Sequence, residues 1–143
     1  MYLVGVPLLV VPFAVYNMVE FLTPSGSPGL FWTHQVMSVH MLSDAVLTIT
    51  GGDLLIALSI LLLFAEFLKA TRLSSRTIMD HMLSTLLFIG MLVEFLMVRH
   101  AATASFFLLL VTSFVDVVGG FSVTIRTAQR DISIERAETM HNS

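Results

Sequence analysis

Six acidic side chains stand in or beside long apolar stretches of this chain: Glu20, Asp53, Glu66, Asp80, Glu94 and Asp116. No lysine or arginine lies deep enough in those stretches to pair with them. A charge at the centre of a membrane helix costs about 2.5–3.5 kcal/mol on insertion scales, so each acid needs a physical reason to be there. Protonation, a bound cation or solvation at a headgroup boundary would each supply one. The first two are the chemistry of proton or small-cation passage. The third is structural.

Four of the six have a structural account. Lys69 is three residues after Glu66 and Arg72 lies just beyond, which suits an ion pair at headgroup level. Glu20 precedes the Thr23-Pro24 break and reads as interfacial. Asp53 follows Gly51-Gly52 and is placed to cap a helix. Asp80 stands near the start of an apolar run, where an acid favours the positive end of the helix dipole.

Asp116 and Glu94 are harder to explain in this way. Asp116 is about fourteen residues into its apolar segment, and flanking charges do not reach it. At 100° per residue, Asp80, Ser84, Leu87, Met91 and Glu94 fall within roughly 40° of one line. Ser105, Thr112, Asp116 and Gly119 form a second narrow stripe. Turned towards each other, the stripes would gather carboxyls between helices, with Asp116 central, Glu94 and Asp80 as relays, and Ser84 and Thr112 lining the route. Small and hydroxyl-bearing residues also serve close helix packing, and Gly119-Gly120 would then be a contact surface. Both accounts predict inward-facing stripes.

The histidines raise a metal reading. His34, His40 and His100 fall on one side of the expected topology, and imidazole with carboxylate suits Zn or Cu. Their spacing matches no zinc signature. His81 is the only histidine within a span, which argues against bis-histidine haem. No Ser-His pair, phosphate-binding glycine loop or basic aromatic face points to an enzyme or to nucleic-acid binding, and no cofactor is expected.

The elements that must hold these residues follow from composition. Of 143 residues, 56% are hydrophobic and 12% charged, with a mean hydropathy of +0.90. Soluble domains carry about 25% charged residues, so the chain reads as a membrane protein. With no cysteine, disulfides and thiolate chemistry are excluded. Four segments approach the roughly 20 apolar residues that a bilayer requires: 2–22, 53–70, 78–98 and 102–125. The first lacks a basic leader and a small-residue cleavage site, so it reads as a retained anchor. The Glu-Phe-Leu triplets at Glu20, Glu66 and Glu94 follow no fixed period.

Lys69, Arg72, Arg76, Arg126, Arg130 and Arg136 fall on one side of that topology and only Arg99 on the other. The positive-inside rule then predicts cytoplasmic termini in a cell membrane of bacterial inner-membrane type. The breaker cluster 23–29 ends the first segment. Beyond it, the apolar spacing over 30–42, with Trp32 at the front, predicts an external amphipathic helix lying in the interface. A longer second span starting near Ser43 is the alternative. Residues 126–143 read as a polar cytoplasmic tail, a frayed helix with no site of its own. The expected fold is thus an all-α domain over 1–125, a bundle of four transmembrane helices plus the interfacial helix.

Two functions fit that fold. One is an accessory, assembly or self-associating subunit, forming a homo-oligomer or part of a larger membrane complex. The other is a proton or small-cation channel or carrier that uses the intramembrane carboxylates. The first is favoured slightly, because inward polar stripes suit packing as well as permeation.

Overall fold

A computed structural model describes residues 6–23, 27, 29–70 and 77–142. The start of the expected first span, most of the breaker cluster and the connection carrying Arg72 and Arg76 lie outside the described residues. Backbone groups in lipid must be bonded within their own segment, which makes long apolar runs helical. The described residues are mostly helical. Its elements are α1 (Val10–Leu22), α2 (Leu30–Thr33), β1 (Gln35–His40), β2 (Val46–Thr50), α3 (Gly51–Ala70), α4 (Thr77–Met97) and α5 (Ala104–Asn142), with a 3-10 turn at Arg99–Ala101.

Three helical stretches, Gly51–Lys69, Met79–Met97 and Ala104–Ser122, are long and apolar enough to cross a membrane. The first expected span is shorter as a helix, with 13 residues in α1. Pro12 sits in its first turn, where a missing N–H breaks no helical bond. Outward-facing Leu61, Phe64, Leu86, Phe107 and Phe114 remain exposed, which suits a lipid-facing surface.

The start of α3 is set by a reciprocal cap. The Thr50 N–H donates to the Asp53 carboxylate at 3.0 Å, and the Asp53 N–H donates to the Thr50 hydroxyl at 3.2 Å. This is a capping box with an aspartate at its third helical position. It rules out an α3 that begins near Ser43.

Close approaches fix the helix directions. A Cβ on Gly52 would collide with the Ser105 hydroxyl, and one on Gly119 would lie 2.6 Å from the Phe67 ring. Successive residues of α3 thus meet successive residues of α5, so the two run parallel in direct contact, and α4 packs on α5. α1 runs opposite to α3. Near its start the Leu8 N–H donates to Glu66, and at its far end Glu20 reaches His100 at 3.4 Å. The buried core, nearer the His100 end, comprises Tyr16, Trp32, Leu55, Met91, Ala101, Phe106, Leu109 and Leu110.

The structure corrects the reading of 30–42. Only Leu30–Thr33 is helical, and β1 pairs antiparallel with β2. Val36, Val39, Val46, Thr48, Ile49 and Thr50 are β-branched, which stiffens χ1 and favours an extended chain. Asp44 takes the left-handed conformation (φ 64°) that closes the turn, and the Met41 N–H donates to the Ala45 carbonyl at 2.8 Å. The apolar positions that suggested a helix belong to a hairpin. Beyond residue 125 the helix does not break: α5 runs unbroken for 39 residues, with neither glycine nor proline after Gly120.

Candidate functional site

Between α3, α4 and α5, at the end opposite His100, lies a cavity of about 10 Å³, room for roughly one water. Glu66, Lys69, Asp80, His81, Ser84, Asp116 and Gly120 line it. Each helix brings its share by its own periodicity. On α3, Gly52, Ser59 and Glu66 recur every seven residues and all three are buried. On α4, Asp80 and Ser84 stand one turn apart on the inward line. On α5, Asp116 and Gly120 are likewise four residues apart.

The carboxylates are unequally satisfied. Glu66 accepts from the Leu8 N–H and lies 3.4 Å from the Lys69 ammonium. Asp116 is 4% exposed, and the Ser84 hydroxyl lies within its hydrogen-bonding reach. Asp116 Oδ2 and Asp80 Oδ1 are buried with no hydrogen-bond partner among the described residues. Three carboxyls and one lysine therefore surround a water-sized space, and two of those carboxyls carry an orphaned oxygen. A donor entering that space would meet an unmet demand: a proton, a water or a small cation.

Glycine makes the convergence possible. A Cβ on Gly120 would lie 2.8 Å from the His81 ring, and the Gly119 position is filled by Phe67. The His81 ring also meets Phe121 edge-on, with centroids 6.2 Å apart.

Compared with protein families, curated proteins and solved structures, the chain matches none. The site's chemistry must be read from its own geometry.

Of the residues singled out from sequence, Asp116, Asp80 and Ser84 come together at the cavity. Glu94 does not: it accepts from Asn17 at 3.4 Å near the other end. Ser84 and Glu94 are ten residues apart on one helix, about 15 Å along its axis. On α4 the buried Met91 and on α5 the buried Leu109 stand between the residues of the two ends. Thr112 turns its hydroxyl to the Leu108 carbonyl of its own helix at 2.8 Å. The carboxyls thus form two separate clusters.

At the far end, Glu20 is buried and accepts from the Gly29 N–H at 2.8 Å. His100 pairs with Glu20, while His34 and His40 are exposed on the hairpin and its approach. Among the described residues no three His, Asp or Glu side chains form a metal-ligating group.

Sequence reasoning placed Glu66 at a solvated interface and gave His81 no role at the site. The ion pair to Lys69 is present, yet the carboxylate is 6% exposed. The seven-residue recurrence of Gly52, Ser59 and Glu66 was the signal for an inward face.

Proposed function

We propose that this protein is a self-associating or accessory subunit of a membrane complex, in a membrane of bacterial inner-membrane type. One observation carries the reading. α5 continues well past its apolar window at Ser122, and its described side chains from Ile125 to the end are exposed. Most helical stability in proteins comes from burying an apolar face, and here Ile125, Ile132 and Ile134 stay exposed on the described helix. A contact with another chain supplies what this helix lacks. The expected sidedness puts this extension and the polar cavity on the cytoplasmic side, where the basic residues collect.

The reading includes four crossings. Although α1 is short, the segment holding it touches both ends of the bundle: Lys69 donates to the Val6 carbonyl at 3.2 Å, and Glu20 meets His100. An unwound start makes up the length that the helix lacks.

Its test is the mass of the full chain in mild detergent and in nanodiscs, with disulfide trapping of Gln129→Cys in native membranes. A defined oligomer, or stoichiometric copurifying subunits, with trapping at position 129, is the expected result. A monodisperse monomer in both media, with no trapped product, overturns the reading.

The cavity favours a second reading, passage of a proton or small cation. Proteoliposome flux above empty vesicles, abolished by Asp116→Asn, would carry it. The apolar layer at Met91 and Leu109 would then have to open during the cycle.

A further inference from the structure

We infer that the β1–β2 hairpin is a membrane-surface element that lays one apolar face and its tip into the lipid headgroup boundary. The register puts Met37 opposite Ile49 and Val39 opposite Leu47, so these four side chains share one face. Ser38 opposite Thr48 and His40 opposite Val46 form the other face. The hairpin is therefore amphipathic, with an apolar quartet on one side and mostly polar groups on the other. Met37, Val39 and Leu47 are all exposed, and Leu42 at the tip is fully so.

A two-stranded hairpin by itself is marginal in water and needs its apolar face covered. Nothing else in the described chain covers this one. Its occupant follows from where the hairpin is anchored. β2 runs straight into α3 at Gly51, where the membrane-length window begins. The Gly51 N–H donates to the His34 carbonyl at 3.2 Å, closing the base of the hairpin at that level. α2 fixes the other strand, with Trp32 stacked on Tyr16 at 5.0 Å. Both strands thus leave from the boundary of the lipid-facing surface.

Charge points the same way. Between residues 35 and 52 the one formally charged side chain is Asp44, in the turn. Strand edges that face water are commonly protected by lysine or other charges, and these strands carry none. A neutral, apolar face suits acyl chains and offers no charge to steer a protein partner. This inference is independent of the subunit reading, because the hairpin and the α5 extension lie at opposite ends of the bundle.

The cysteine-free sequence makes the test direct. Single variants Met37→Cys, Leu42→Cys and Leu47→Cys, with Ser38→Cys and Thr48→Cys for the other face, carry a nitroxide on the full chain in phosphatidylcholine–phosphatidylglycerol vesicles. Collision with oxygen is compared with collision with a water-soluble nickel chelate. The expected result is an oxygen-to-nickel ratio several-fold higher at 37, 42 and 47 than at 38 and 48. Equal, nickel-accessible values on both faces would show a hairpin standing in water and overturn the inference. So would labels at 37 and 47 shielded from both reagents, or spin–spin broadening that disappears on dilution with unlabelled chain, since either places protein on that face.

Discussion

The Tyr16 hydroxyl on α1 and the Thr103 hydroxyl at the start of α5 lie 2.7 Å apart, across 87 positions of sequence. Tyr16 gives its one proton to the His100 carbonyl at 2.7 Å, so Thr103 must be the donor to Tyr16. The Thr103 oxygen in turn accepts the Phe106 N–H at 3.1 Å and so caps α5. A three-bond chain thereby ties α1 to the turn between α4 and α5, and Trp32 and Phe106 pack against the same ring.

Tyr16→Phe keeps the ring stack and removes the hydroxyl, leaving a half-buried carbonyl and hydroxyl short of a partner. The expected cost is about 1–3 kcal/mol. Thr103→Ala removes the cap as well and should cost about as much. The double variant should be less harmful than the sum of the two, because both remove one shared bond. Thermal unfolding in detergent reads all three, and strict additivity would show that the chain of bonds is not formed.

Asp116→Asn should leave stability unchanged or raise it by up to about 1 kcal/mol, since the amide supplies donors where Asp116 Oδ2 and Asp80 Oδ1 have none. Ser84→Ala should lower it by about 1 kcal/mol, because it removes a hydroxyl within reach of the Asp116 carboxyl. Melting temperatures of the two variants test the cavity's unmet acceptors. A large loss on Asp116→Asn would mean that the carboxylate holds something an amide cannot.

The glycines give a control built into the molecule. A methyl at Gly120 meets the His81 ring at 2.8 Å, whereas a Cβ at Gly90 has no neighbouring atom within 4 Å. Gly120→Ala should cost about 1–3 kcal/mol through overpacking, and Gly90→Ala should stay within about 0.5 kcal/mol of neutral. Equal effects in a melting assay would contradict the packing of α4 on α5.

Asp53→Ala breaks half of the capping box at the junction of hairpin and helix. The expected loss is about 0.5–2 kcal/mol. Hydrogen exchange should quicken at Thr50 and in the first turn of α3 while α5 stays protected, so uniform acceleration would assign Asp53 a wider role.

The amino-acid sequence by itself determined that this is a helical chain with membrane-length apolar segments, because apolar runs in lipid have no other way to bond their backbone. Periodicity alone also put Asp80, Ser84, Leu87, Met91 and Glu94 on one line, of which Ser84 and Met91 are buried, and a spacing of three foresaw the contact between Glu66 and Lys69. Over 30–42 it misled. Three or four apolar residues fit a helical period and a strand alternation equally well, and pairing with Val46–Thr50 decides between them. Tertiary structure alone decided which polar groups meet. Glu66 joins Asp116 and Glu94 does not, because the level at which each helix crosses its neighbours is set by close approaches such as Gly119 on Phe67 and Gly120 on His81, and no single helix contains that information.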